Sequence, residues 1–225
     1  MAWPTGMHAN QTLESHWLPW ASSNLRRNPF GELSAAERAE LAVVDVDPII
    51  EHVSQPRHAI QLIGDCGRGK TTRMLALQDR LPRSSYVYLA EDELCPAIPM
   101  GDPVLIDEAQ RLPRAVRRSV WRSGLPLILA THRDLRHGLQ KFGYRVCTVE
   151  IGVGNTPDLI YQLLNRRIEA SRLHPGPVPL LSLKTAESLA SRFGTDIRAI
   201  EHHLYEQLQR QVKEHGQVRS LDSIG

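Results

Sequence analysis

The 225-residue sequence has few aromatic residues (5%), only three cysteines, and no apolar run near the roughly 18 residues that a membrane-spanning helix requires. Its amino terminus also lacks the apolar core of a secretory signal, so a cytoplasmic location is expected. The cysteines, Cys66, Cys95 and Cys147, are odd in number and form no C-x-x-C pair. That excludes a disulfide framework and a structural zinc site, and leaves reduced thiols. No internal repeat is present. Acidic residues are scarce in one place: between Arg111 and Arg145 nine arginines or lysines face a single acid, Asp134, although the whole chain carries a formal charge of only +2. A basic stretch in an otherwise acidic chain points to an anionic partner or a nucleotide-facing edge.

What is present divides the chain into three. Residues 1–30 hold Trp3, Trp17 and Trp20 among prolines, serines and asparagines with no sustained period, and read as an irregular lead-in. Tryptophans there would either anchor a partner or pack back on their own domain. Residues 31–152 begin with helical character, Ser34 capping Ala35 to Leu41 and a second short helix from Asp47 with Pro48 at its first position. Short apolar runs follow at Ala59–Ile63, Tyr86–Ala90, Val104–Ile106, Leu125–Thr131 and Arg145–Ile151, separated by polar segments with helical character. Runs of this kind suit strands buried on both faces of a parallel sheet flanked by helices, an α/β fold. Residues 153–225 offer no further strand and read as a small all-helical subdomain. Its helices start at Thr156-Pro157-Asp158, span Leu183–Phe193 up to Gly194, and run from Asp196 to about Glu214 with Ile197, Ile200, Leu204 and Leu208 on one stripe.

The segment Gly64-Asp65-Cys66-Gly67-Arg68-Gly69-Lys70-Thr71 satisfies G-x-x-x-x-G-K-[ST], with a predicted strand entering it and a predicted helix, Lys70 to Leu81, leaving it. This is the P-loop (Walker A) pattern. Glycines let backbone N–H groups turn inward around phosphate oxygens, and the helix start adds partial positive charge. Contacts to a nucleoside triphosphate are expected over Gly64 to Thr72, with Lys70 bridging the β- and γ-phosphates and the Thr71 hydroxyl on Mg²⁺. Downstream, Val104-Leu-Ile-Asp107-Glu108 is a buried strand ending in two acids, a Walker B pattern. At the carboxyl end of a parallel strand these face the ligand crevice. Asp107 would hold Mg²⁺, largely through its waters, and Glu108 would act as general base on the attacking water. Otherwise Glu108 is a surface residue following a strand.

These two motifs, a strand ending Ala130-Thr131-His132 and a helical tail containing Gly194-Thr-Asp-Ile-Arg198 together resemble AAA+ ATPases, especially compact bacterial transposition-accessory and secretion forms, over about residues 59–211. The resemblance implies a P-loop NTPase core with a C-terminal helical lid, ATP and ADP as ligands with Mg²⁺, and the prospect of a homo-oligomer. It also implies that Thr131 or His132 senses the γ-phosphate and that Arg198 reaches the nucleotide from the lid. The alternatives are an ordinary loop histidine and a solvated helix arginine. Two departures stand out. Residues 91–102 carry prolines and leave little room for a helix and pore loop, and no arginine-finger motif is evident, although Arg133 and Arg136 lie near its expected place.

Arg111, Arg114, Arg118 and Arg122 fall three, four and four residues apart, one stripe of an expected helix, with Leu112, Val116 and Val120 on another. Such an edge would track a nucleic-acid backbone, dock an acidic protein surface, or stand solvated. The competing functional readings are a P-loop kinase and a non-catalytic adaptor gated by nucleotide. A thymidine-kinase type lacks its zinc-binding cysteine pairs here. A helicase would need a second core, and an ABC-type ATPase its Leu-Ser-Gly-Gly signature.

Overall fold

The computed structural model of the chain describes residues 19–53, 55–215, 217, 218 and 221. Trp3 and Trp17 lie outside the described residues. The described residues form two compact units, one within 33–156 together with 195–198, the other within 19–32, 157–194 and 199–221.

The larger unit is an α/β fold, a parallel sheet flanked by helices. It opens with α1 (Ala35–Glu40) and α2 (Asp47–Val53). Ser34 and Glu37 form a reciprocal capping box that satisfies both ends of the first turn of α1. Then follow β1 (His58–Ile63), α3 (Lys70–Arg80), β2 (Ser85–Tyr88), β3 (Val104–Asp107), α4 (Arg114–Arg122), β4 (Leu127–Thr131), α5 (Arg136–Gln140) and β5 (Arg145–Glu150). The five strands are all parallel, in the order β2-β3-β4-β1-β5. Each expected strand forms within about two residues of its apolar run. The short α5 was not expected. No helix forms between β2 and β3, where residues 89–103 cross over as an irregular segment.

Alternation along the strands fills two cores. Leu127 and Leu129 of β4, with Val104 and Ile106 of β3, pack toward Trp121, Leu135 and Leu139 on the α4 and α5 side. Ile128, Ala130, Leu105, Ile60 and Leu62 pack toward Met74 and Leu77 of α3 and Ile49 and Val53 of α2. Burial on both faces explains why these strands read as continuous apolar runs. One polar residue interrupts them. Gln61 of β1 is fully buried, and its side chain donates to Asp134 and Thr148 at 2.7 Å each and accepts from the Leu135 N–H at 2.9 Å. It thereby ties the loop after β4 to the centre of the sheet.

The second unit contains α6 (Pro157–Ala170), α7 (Leu183–Phe193) and most of α8 (Ile197–His215). Its core holds Leu25, Ile160, Leu164, Ile168, Leu189, Ile200, Leu204 and Leu208. Arg167, almost wholly buried, donates to the carbonyls of Pro29 and Gly31 and pairs with Glu201. Residues 19–32 are therefore held by specific hydrogen bonds, and Trp20 is buried.

Candidate active site

Strand order decides what meets at the carboxyl end of the sheet. β4 lies between β1 and β3, so the residue after β4 falls between the loop that follows β1 and the acids that end β3. That loop, residues 64–69, turns through Gly67 at φ +76° and Gly69 at φ +94°, conformations that suit glycine. At Gly64 the limit is space, since a Cβ there would lie 2.5 Å from the Ile151 carbonyl oxygen.

Lys70, the first residue of α3, is 5% exposed. Its Nζ donates to the carbonyls of Gly64 at 2.6 Å and Asp65 at 2.8 Å and lies 3.3 Å from His132 Nε2. Among the described residues no carboxylate pairs with it directly. Burial holds the ammonium below the ordinary lysine range, against the opposing fields of Glu108, Cys66, Asp107 and Asp65.

Asp107 is fully buried at the end of β3. Burial pushes its carboxyl above the usual range and the Glu108 charge adds to this, while hydrogen bonds from Thr71, Tyr86 and the Glu108 N–H pull it back. Burial also raises the Tyr86 phenol, with Asp107 contributing. Glu108 itself takes a left-handed backbone, φ +59°, unusual for a residue with a side chain. Its carboxylate accepts from Gln110 Nε2 at 2.6 Å, lies 3.3 Å from His132 Nε2 and 3.6 Å from Arg111. His132 Nε2 thus stands 3.3 Å from both Lys70 and Glu108, and a single ring nitrogen accepts from one or donates to the other according to tautomer. Cys66 Sγ is 3.8 Å from the same nitrogen.

Thr131 takes no part in this cluster. Its buried hydroxyl donates to the Arg133 carbonyl at 2.9 Å and accepts from the Arg133 N–H, closing its own turn. Thr71 joins Asp107, whereas Thr72 is half-buried on α3. Arg198 is exposed. The short segment before it belongs to the same unit as the loop: Arg68 donates to the Thr195 hydroxyl, Asn155 donates to the Thr195 carbonyl at 2.9 Å, and the Asp196 carboxylate sits against Gly67.

One expectation about the basic helix is overturned. Arg111 does not share a helix with Arg114, Arg118 and Arg122, because Pro113 lacks an N–H and begins α4 afresh. Arg111 ends a separate 3-10 turn and points inward, donating to the Leu89 carbonyl at 2.8 Å and to Glu91 at 3.0 Å. With Glu91, Gln110, His132 and Arg133 it lines a cleft of about 340 Å³ beside Glu108.

Gln110, Tyr86, Asp196 and Gln61 were not singled out from the sequence. Only Gln61, a lone amide inside an apolar run, and Gln110, two residues after Glu108, carried a signal.

The arrangement supplies a buried cation with no carboxylate partner among the described residues and, 0% exposed beside Thr71, a carboxylate, so that a hydroxyl and a carboxylate offer hard oxygens. A polyphosphate with magnesium suits that donor set. No described helix is long and apolar enough to cross a membrane. No protein-family model matches the chain, and no curated protein sequence matches it significantly. Among solved structures, the chain is similar to the ORC2 protein of Aeropyrum pernix, determined as ADPNP–ADP complexes, at 13% identity and a TM-score of 0.44 over 88% of this chain and 70% of that one. A likeness at that level carries nothing about function.

Proposed function

We propose that the chain binds ATP with Mg²⁺ and hydrolyses it, as an AAA+-type ATPase that works as a nucleotide-dependent switch or motor subunit. The observation that carries this reading is Lys70, a buried ammonium that among the described residues meets two carbonyls and an imidazole in a turn built from positive-φ glycines. Phosphate oxygens are ligands that suit such a cation. Thr71 and Asp107 would hold the magnesium, which supplies charge neutralisation at the phosphates. Glu108 accepts a proton from the water that attacks the γ-phosphorus, as the bond to the ADP oxygen breaks. His132, between Lys70 and Glu108, orients both, and Arg198 reads the nucleotide. Phosphate release tests this: turnover that requires Mg²⁺ and disappears with a chelator is expected, and turnover indifferent to the chelator overturns it. Arg198→Ala should narrow the preference for ATP over ADP several-fold in competition binding, and an unchanged preference returns Arg198 to solvent.

A second reading, an adaptor that binds ATP without turnover, draws on one observation: Glu108 already accepts a short hydrogen bond from Gln110. ATP binding with no phosphate release in any condition would favour it.

A further inference from the structure

The end of the sheet away from Lys70 carries a second concentration of charge, of one sign. α4 runs from the carboxyl end of β3 back to the amino end of β4, and Arg114, Arg118 and Arg122 follow one another at four-residue intervals, all exposed. At 1.5 Å per residue they extend over about 12 Å. Beyond Arg122 the stripe continues on three loops that are hydrogen-bonded into one surface. Arg57 N–H donates to the Gly124 carbonyl at 2.9 Å, Arg145 N–H donates to the Arg57 carbonyl at 2.8 Å, and the Arg57 guanidinium donates to the Phe142 carbonyl at 2.5 Å. Arg57 holds this place in a left-handed backbone, φ +56°, which an arginine rarely adopts. Lys141 and Arg145, the latter the first residue of β5, are both exposed.

None of these six side chains makes an ion pair among the described residues, and residues 55–58, 122–126 and 141–145 contain no acid. Arg83, also at the amino end of the sheet, has its charge matched by Asp102 at 2.8 Å. Six uncompensated cations repel one another, a cost that a polyanion removes.

We propose that this face, from Arg114 along α4 to Arg57, Lys141 and Arg145, binds the phosphate backbone of a nucleic-acid duplex. The inference deepens the anionic-partner reading of α4, moves it off Arg111, and stands independently of ATP turnover. Two features favour a nucleic acid over an acidic protein or a membrane. The cations follow one another along α4 and then across the amino-terminal starts of β4, β1 and β5. The exposed large apolar residues, Tyr88, Leu94, Met100, Val153, Leu180 and Leu183, all lie outside the stripe, so it lacks the apolar anchors at the centre of protein interfaces and the apolar face that enters a bilayer. Guanidiniums set along a backbone position a duplex without reading its bases, so sequence preference is slight.

Fluorescence anisotropy of a labelled mixed-sequence duplex across a salt series tests the proposal. Six phosphate contacts predict a loss of about a thousandfold between about 50 and 200 mM salt. Arg118→Gln with Arg122→Gln should lower the slope of log affinity against log salt by about two, and Lys141→Gln with Arg145→Gln by about two again. Arg118→Lys with Arg122→Lys, which keeps the charge, should preserve the slope, as should Lys184→Gln in the helical unit. No binding at the lowest salt overturns the proposal, as does binding whose slope ignores both glutamine pairs, or tighter binding of phosphatidylserine vesicles through the same residues. A chain that hydrolyses ATP but binds no duplex loses this inference alone. One that binds the duplex but not ATP loses only the proposed ATPase function.

Discussion

The two ends of one sheet treat charge in opposite ways. At the carboxyl end Lys70, Asp107, Glu108 and His132 are half-buried or buried and are tied to one another and to Thr71, Tyr86 and Gln110. At the amino end Arg57, Arg122, Lys141 and Arg145 stand in solvent with no acidic partner among the described residues. Buried charges interact strongly over short distances, and their geometry is fixed by hydrogen bonds. Exposed ones are screened within about 10 Å at ordinary ionic strength and act by number rather than by placement. Substitutions at the first end should therefore be specific and large in effect, those at the second graded and salt-dependent.

The largest expected effect is at Glu108. Glu108→Gln keeps the shape of the side chain but exchanges one acceptor oxygen for a donor and cannot take a proton, so ATP hydrolysis should slow by at least about a hundredfold while ATP binding persists. Single-turnover phosphate release checks it, and intact turnover would assign the water to another group.

Gln61→Leu probes the link between the centre of the sheet and the loop that carries His132. It leaves the Leu135 N–H without its acceptor in a buried place, which should cost about 1–3 kcal/mol of stability by denaturant titration. A neutral outcome would mean that the loop after β4 holds itself.

The smallest effect runs the other way. Burial raises the Asp107 carboxyl above its unfolded value, so its ionised form opposes folding at neutral pH, and that opposition fades as pH falls through the raised value. Asp107→Asn should therefore raise the Tm of the ligand-free protein, by about 2–4 °C if about 1 kcal/mol is recovered. The gain should shrink in acid and be accompanied by loss of Mg²⁺-dependent turnover. A Tm that falls equally at every pH would show that the hydrogen bonds from Thr71 and Tyr86 outweigh burial.

Sequence carried the fold further than the site. The inner strands β1, β3 and β4 were legible because burial on both faces writes continuous apolar runs, and Ser34 marks a helix start by the same side-chain chemistry that caps it. Leu183–Phe193 reads the same in sequence and structure. The break at Pro113 was visible as a proline, yet the even spacing of the arginines on either side suggested one helix. Other features depend on strand order, which periodicity does not encode. His132 touches both Lys70 and Glu108 only because β4 enters between β1 and β3, and Tyr86 reaches Asp107 only because β2 pairs with β3. Asp196 lies against Gly67 although 129 residues of chain separate them.

The central claim is that the buried Lys70 ammonium is there for phosphate. Calorimetric titration of ATP with Mg²⁺ into the protein and into Lys70→Ala tests it most directly. The account predicts saturable binding to the parent and none measurable to a variant that remains folded, since the buried ammonium that would meet the phosphates is gone. Equal affinity in the two proteins would contradict it.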